Sequence, residues 1–229
     1  SNGLYTVTLT VTTPHGTFTK SKSACVNVRD QWYVKANGTG SGTSWKDACG
    51  SIQEAVDAAS AAGGGEVWVA AGKYVAREST ALYVLAMAYG VHVYGGFSGS
   101  ETVREARDWE RNLSVIDGEL KRCCVQGAAN ATLDGFTVQK GYSTRSGAGM
   151  YNENVSPTVA NCVFYRNETS SNYAAYGAGI YNENASPIIE NCLFSENQAS
   201  GDGGGLANVW LASHIVCGCV FDSNTGDFN

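Results

Sequence analysis

Residues 147–157 and 177–187 are near copies of one another. The first reads Gly-Ala-Gly-Met-Tyr-Asn-Glu-Asn-Val-Ser-Pro, the second Gly-Ala-Gly-Ile-Tyr-Asn-Glu-Asn-Ala-Ser-Pro, and Asn-Cys-x-Phe follows each after a short run. A degenerate third copy spans 203–224, and an earlier one is visible at 133–138. A period of about 26–30 residues indicates that one structural unit is stacked on the next, as in solenoid proteins.

The repeated unit has the composition of short β-strands. Runs such as 162–164 and 192–194 are rich in β-branched and aromatic residues and are bounded by Gly, Asn and Ser. No helix-length apolar periodicity lies between them. One repeat therefore predicts one coil of a parallel β-helix.

Equivalent residues of stacked coils lie about 4.8 Å apart, so the repeat predicts ladders of identical side chains. We expect ladders of Cys162, Cys192 and Cys219; of Phe164, Phe194 and Phe221; of Asn152, Asn182 and Asn208 at one turn; and of Asn167, Asn197 and Asn224 at another. Aligned thiols inside a coil stack favour a core role over a soft-metal site.

Residues 1–29 predict a β-hairpin. Tyr5, Val7, Leu9 and Val11 alternate with polar residues, so we expect one buried face. The run Gly-Leu-Tyr-Thr-Val-Thr-Leu-Thr-Val-Thr, then a turn and Cys-Val-Asn-Val, resembles the last two strands of a polycystic-kidney-disease-type immunoglobulin-like domain. The preceding strands of such a sandwich are absent. Either the chain is a fragment, or another copy supplies the partner.

One helix is predicted, near 51–62. Ser-Ile-Gln-Glu at 51–54 has the pattern of a capping box, and apolar residues recur at Ile52, Ala55, Val56 and Ala59. Three glycines at 63–65 end it. The weak, Ala-rich stripe suits a helix that covers the end of a solenoid.

The segment from residue 30 to residue 229 resembles secreted pectin-lyase-like proteins. The motifs are Tyr-Val-Lys-Ala at 33–36, Val-Trp-Val-Ala-Ala-Gly-Lys-Tyr at 67–74 and Val-Tyr-Gly-Gly-Phe-Ser-Gly-Ser-Glu-Thr at 93–102, with Arg-Asp-Trp at 107–109 and Val-Ile-Asp-Gly at 115–118. The resemblance implies an all-β fold, a right-handed parallel β-helix (solenoid) with an N-terminal capping helix and a preceding β-hairpin. That fold hosts lyases, hydrolases, esterases, adhesins and passive surface proteins, so it implies no single activity.

Composition restricts the partners and the compartment. A net charge of −6 with 16% charged residues lacks the basic footprint of a nucleic-acid-binding protein. No apolar run is long enough for a membrane span. Eight cysteines fit an oxidising compartment, where one thiol of each close pair, Cys123-Cys124 and Cys217/Cys219, is a disulfide candidate. The glycosylation sequons that favour an extracellular or cell-surface location are Asn37, Asn112, Asn130, Asn154, Asn167 and Asn184.

No catalytic, cofactor-binding or metal-binding residue is predicted. Asp117 and Asp134 lie in Asp-Gly turns, where turn formation explains them. Glu153 and Glu183 occupy equivalent repeat positions, and a solvated edge is favoured there over a calcium site. The side chains best suited to stack on sugar rings are Tyr142, Tyr165, Tyr173 and Tyr176.

These patterns favour a non-enzymatic extracellular protein, a rigid, glycosylated rod or fibre segment used for structure or adhesion. We expect self-association or further domains of the same chain, with the coils continuing beyond residue 229. Two alternatives stay open: a polysaccharide lyase or glycoside hydrolase of the pectin-lyase-like fold, and a carbohydrate-binding module.

Overall fold

The computed structural model describes residues 3–28, 31–170, 174–210 and 215–226. The chain divides into two units, Ser1–Asp30 and Gln31–Asn229. The first unit is a two-stranded antiparallel sheet, and the second is built of parallel sheets with one α-helix. The protein is therefore mostly β, as the repeat predicts.

The hairpin of the first unit pairs Gly3–Thr13 with Gly16–Val28 through the connection at Pro14 and His15. On one face, threonine and serine hydroxyls meet in three cross-strand pairs at 2.8–3.4 Å. The other face was expected to be buried, and this expectation is wrong for its described side chains: Leu9 is 65% exposed and Val11 47%. No second sheet covers them in the described part of this unit.

Parallel strands of the second unit form four sheets. The seven-stranded sheet contains Gln31–Val34, Gly65–Ala70, Val91–Phe97, Thr132–Asp134, Thr158–Ala160, Ile188–Glu190 and Ile215–Cys217. The six-stranded sheet contains Gly72–Tyr74, Ser114–Asp117, Phe136–Gln139, Val163–Tyr165, Leu193–Ser195 and Val220–Asp222. The five-stranded sheet contains Tyr83–Ala86, Cys123–Gln126, Met150–Glu153, Ile180–Glu183 and Leu206–Val209. The four-stranded sheet contains Tyr142–Ser143, Glu168–Thr169, Gln198–Ala199 and Thr225–Gly226.

From residue 123 onward, the strands visit the five-, seven-, six- and four-stranded sheets in that order, four times. Each visit adds a strand parallel to the one a repeat earlier: Thr158 pairs with Ile188, and Ile188 with Ile215. One sequence repeat is thus one pass through all four sheets. We call each such stretch a pass.

Aromatic and thiol ladders run between the sheets, as the repeat predicts, with Phe164, Phe194, Cys162 and Cys192 buried and Phe221 49% exposed. The Phe164 and Phe194 rings stack at 5.1 Å, and Phe194 and Phe221 at 4.7 Å. The Cys162 thiol donates to a backbone carbonyl of the preceding pass, at 3.6 Å from Leu133, and Cys192 and Cys219 repeat the arrangement. These thiols are part of the apolar core.

The two predicted asparagine ladders are confirmed as rows of hydrogen-bonded side chains, but the first ladder lies in strands and not at a turn. Asn152 donates to Asn182 at 2.8 Å, 30 residues on, and Asn182 to Asn208 at 2.8 Å, 26 residues on. These residues lie inside strands of the five-stranded sheet, not in a turn, with the Asn152 and Asn182 side chains pointing into the core. In the second ladder Asn167 donates to Asn197 at 2.9 Å.

Left-handed residues mark the corners between sheets. Asn154 and Asn184 have φ of 56° and 47°, and Asn161 and Asn191 both have φ of 51°. Asparagine tolerates this conformation better than most residues, which explains the Asn-rich repeat. At the corner before the second ladder the left-handed residue is Arg166, with φ 52°, and not the neighbouring ladder asparagine.

The repeated glycines are required because the backbones of neighbouring passes approach closely. A Cβ added at Gly149 would lie 2.4 Å from the carbonyl oxygen of Gly179, and one at Gly179 would lie 2.2 Å from that of Gly205. Only glycine fits this column without moving the neighbouring pass.

The predicted helix is confirmed over Ile52–Ala61, and 3₁₀ turns occur at Trp45–Asp47 and Arg104–Ala106. Ser51 caps the helix by accepting a hydrogen bond from the Glu54 N–H at 3.3 Å. The Glu54 carboxylate pairs with Arg77, so that half of the capping box serves a tertiary contact. The apolar stripe packs into the core beside the first strands of the second unit.

We predict that Asn182→Ala lowers the free energy of unfolding by about 2–4 kcal/mol, because the buried Asn152 amide and the half-buried Asn208 amide would each lose a partner at about 1–3 kcal/mol. The measurement is urea unfolding followed by circular dichroism. Gln198→Ala, at an exposed strand position of the same repeat, is the control and should shift the midpoint little. Equal effects of the two changes would contradict a structural role for the ladder.

Candidate functional site

A cleft of about 420 Å³ opens between the five-stranded and four-stranded sheets. Its walls come from three stretches of chain, 81–83, 121–123 and 142–145. They contribute two tyrosines and three cations, and no carboxylate lines the cleft: Tyr83, Tyr142, Lys121, Arg122 and Arg145. In a chain of net charge −6 this is a local reversal of sign. We call it the basic cleft.

Arg122 holds one wall of the basic cleft in place. Its Nη1 donates to the carbonyls of Glu78 at 2.8 Å and Ala81 at 2.9 Å. A guanidinium that donates to successive carbonyls fixes the loop between two strands. Lys121 and Arg145 are exposed and supply the cleft's available positive charge; Lys121 lies 3.6 Å from the Glu119 carboxylate.

Tyr83 stands where the cleft meets the outer face of the five-stranded sheet. Burial raises the pKa of its phenol, the Cys123 thiol and Glu153 raise it further, and Arg145 opposes them. Burial also raises the pKa of the Cys123 thiol. At neutral pH both groups are therefore protonated, so the cleft offers hydrogen-bond donors and positive charge and no thiolate nucleophile.

Beside the cleft, the repeat builds a ladder of tyrosines and carboxylates. The Tyr151 and Tyr181 rings stack at 5.6 Å with an interplanar angle of 16°. The Tyr151 hydroxyl donates to Glu153 at 3.0 Å, and that of Tyr181 to Glu183 at 3.3 Å. Burial is the main cause that raises the pKa of both phenols, to about 12 for Tyr181, and the carboxylates raise it further. We call these four residues the Tyr–Glu ladder.

Two aspartates that could have formed a catalytic pair serve the structure instead. The Asp134 carboxylate pairs with Arg107 at 2.6 Å and accepts from Asn161 at 2.8 Å. The Asp117 side chain is 1% exposed and pairs with Lys73 at 3.1 Å. Burial alone would raise the pKa of Asp117, but hydrogen bonds, above all from Gln139, lower it.

The charged segment around Arg104 and Arg107 also has a structural role. Arg104 pairs with Glu66 at 2.8 Å, and its guanidinium lies 4.7 Å from the ring centre of Tyr94. Arg107 lies 4.8 Å from the ring centre of Trp109. These contacts bind the loop to the seven-stranded sheet.

In the part of the chain that the structure describes, no three His, Cys, Asp or Glu side chains come together as a metal site. Glu153 and Glu183 form only a pair, and for them a solvated edge stays the prediction. Seven cysteines are free thiols: Cys49, Cys123, Cys124, Cys162, Cys192, Cys217 and Cys219. The disulfide expected of one thiol in each close pair is therefore not formed among these seven, and the Cys25 side chain lies outside the described residues.

The four tyrosines proposed for sugar stacking do not form one surface. Tyr142 lines the basic cleft. Tyr165 is covered by the guanidinium of Arg166, 4.8 Å from its ring centre. Tyr176 is half-buried, and Tyr173 lies outside the described residues. Sequence reasoning missed Tyr83 and the cations of the basic cleft. It also missed the Tyr–Glu ladder, although the equivalent repeat positions of Tyr151 and Tyr181 were a signal for it.

Among the sequons, Asn37, Asn130, Asn154 and Asn184 are exposed. Asn112 is half-buried and donates to the Gly96 carbonyl at 3.2 Å. Asn167 is a wrong candidate, because its side chain is fully buried and donates to Val138 and Asn197 within the second asparagine ladder. A glycan on that nitrogen has no room in the folded protein.

No family model and no curated protein matches this chain. A solved structure of a proposed glycosyl hydrolase from Parabacteroides merdae is similar over 74% of this chain and 88% of its own, with 12% identity and a TM-score of 0.43. No helix in the described residues is long and apolar enough to cross a membrane.

We predict that Asp117→Asn destabilises the protein by about 1–3 kcal/mol at neutral pH, because a buried charged acceptor is lost. The pKa of Asp117 is lowered in the folded state, so its contribution is present above the unfolded value of about 3.9 and is lost as pH falls through the folded value. Urea unfolding across this range should show the two proteins converging in acid. Asp202→Asn, at an exposed position, is the control; a difference that persists in acid would contradict the assignment.

Proposed function

We propose that this chain is a segment of an extracellular right-handed parallel β-helix protein whose main role is structural or adhesive and not catalytic. The observation that carries the proposal is the continuity of the interior ladders. Asn152 donates to Asn182 and Asn182 donates to Asn208 from pass to pass, and the phenylalanines stack beside the thiols. Such a repeating interior favours a stiff body whose passes resist separation, because each polar group would lose its partner.

The disposition of ionisable groups supports a non-catalytic main role. Asp117 and Asp134 are engaged in ion pairs and hydrogen bonds inside the structure. The thiols of Cys123 and Cys124 have pKa values raised by burial, so they are poor nucleophiles. Exposed sequons at Asn154 and Asn184 support an extracellular location.

The test of this proposal combines electron microscopy of the chain with a turnover assay on acidic and neutral polysaccharides. We expect rod-shaped particles or fibres, and no release of reducing ends or unsaturated sugars. Compact particles would contradict the structural role. Product release that is lost in Glu153→Gln would instead establish the chain as a polysaccharide-degrading enzyme.

The basic cleft favours a second function, the binding of carbohydrate that carries carboxylate or sulfate groups. Tyr83 and Tyr142 offer aromatic faces, which stack on sugar rings, and Lys121 and Arg145 offer charge to the anionic substituent. Arg122 supports the wall from behind. Adhesion through such a site is compatible with a structural main role.

We predict that the double change Lys121→Ala and Arg145→Ala weakens binding to polygalacturonate by about tenfold or more, since two charged contacts would be lost. Affinity electrophoresis in gels that contain polygalacturonate or neutral dextran measures this. Lys46→Ala with Arg111→Ala is the control, because it removes the same charge from exposed positions away from the cleft. Equal losses in both double variants would mean that only net charge matters and would contradict the cleft as the site.

A further inference from the structure

The Tyr–Glu ladder stacks two phenol rings on one another, and the proposed structural function does not require this stacking. Tyr151 and Tyr181 are directly paired in the parallel register of the five-stranded sheet, which sets their Cα atoms about 4.8 Å apart. Their rings stack at 5.6 Å and lie within 16° of parallel. Among the residues that the structure describes, no other two tyrosine rings are in contact. The parallel pairing of their strands therefore fixes the two rings next to one another.

Each phenol also has a proton acceptor in place. The Tyr151 hydroxyl donates to Glu153 Oε2 at 3.0 Å, and the Tyr181 hydroxyl to Glu183 Oε2 at 3.3 Å. A phenol that loses one electron becomes a strong acid, so a hydrogen-bonded carboxylate that takes the proton makes the oxidation easier. Neither tyrosine hydroxyl needs to reorganise its hydrogen bond for this transfer.

The position of the pair allows an external oxidant to reach it. Tyr151 is half-buried and alternates along its strand with the core-facing Met150 and Asn152, so its ring is on the outer face of the sheet. Tyr181 is less accessible, at 7% exposure. Contact with the stacked Tyr151 ring gives it a short path for electron transfer.

We propose that Tyr151 and Tyr181 form an intramolecular dityrosine cross-link when the protein meets hydrogen peroxide and a heme peroxidase. Each phenol loses one electron and passes its hydroxyl proton to its glutamate, which gives two phenoxyl radicals. The radicals couple through one ring carbon each, ortho to the oxygen, and the two ring hydrogens leave as protons while the phenols are restored. In balance, two tyrosines and one peroxide give one dityrosine and two waters.

The link would join two successive passes covalently across a loop of 30 residues, the spacing of the paired ladder residues. A cross-link that closes such a loop restricts the unfolded chain and raises stability, as a disulfide does. The chain would thus gain, on its outer face, a covalent bridge that its free thiols do not provide. The proposal does not depend on the structural or adhesive function.

The experiment treats the dilute full chain with hydrogen peroxide and a heme peroxidase, then follows dityrosine fluorescence and maps peptides by mass spectrometry. Arg166 lies between the two tyrosines, so trypsin releases them on separate peptides unless they are linked. We expect a monomeric product with one Tyr151–Tyr181 link, a mass lower by two hydrogens and a higher urea midpoint. Urea present during oxidation should reduce the yield, because the stacked geometry is lost.

Phenylalanine variants test the assignment while they keep the rings and the fold. Tyr151→Phe and Tyr181→Phe should each abolish the intramolecular link, and Tyr165→Phe, on the same tryptic peptide as Tyr151, should leave it unchanged. Glu153→Gln with Glu183→Gln should lower the yield several-fold, since the proton acceptors are weakened. Links that map to other tyrosines, links only between molecules, or full yield in Tyr151→Phe would overturn the proposal, and native circular dichroism of each variant excludes misfolding as the cause.

Discussion

Hydrogen bonds between successive passes hold parallel strands at about 4.8 Å, and the side-chain ladders of the second unit depend on that spacing. Side chains one repeat apart must pack directly on one another. Flat rings tolerate this, as Phe164, Phe194 and Phe221 do at 4.7–5.1 Å. Amides tolerate it when the donor of one side chain meets the acceptor of the next. Glycine is needed where two backbones approach, as at Gly149.

The same spacing divides the chemistry between the interior and the outer face. Inside, polar side chains are shielded from bulk solvent, and the buried asparagines donate hydrogen bonds to one another from pass to pass. On the outer face, the register stacks Tyr151 on Tyr181 and sets Glu153 beside Glu183. Solvent reaches the Glu153 side chain, which is exposed. Repetition therefore makes the core rigid, and the same strand register aligns rows of functional groups at the surface.

The basic cleft departs from this regularity. Its residues come from 81–83, 121–123 and 142–145, which belong to passes that do not share the near-perfect repeat. Where the repeat is irregular, the connections between sheets differ from pass to pass and leave room for a cleft. Arg122 holds the loop that contains Glu78 and Ala81, and Lys121 and Arg145 line the same cleft.

The repeat determined the parallel pairing and the partners in the ladders, and the capping box with its apolar periodicity determined the helix at 52–61, because each depends on spacing along the chain. Burial depended on what packs against a residue, and only the tertiary structure decided it. Asn167 has a perfect sequon and a buried amide, while Leu9 has a strand's alternation and 65% exposure. Tyr83, Lys121 and Arg145 share no motif, and the fold alone brings them to one cleft, since contacts between non-equivalent passes leave no periodic trace in the sequence.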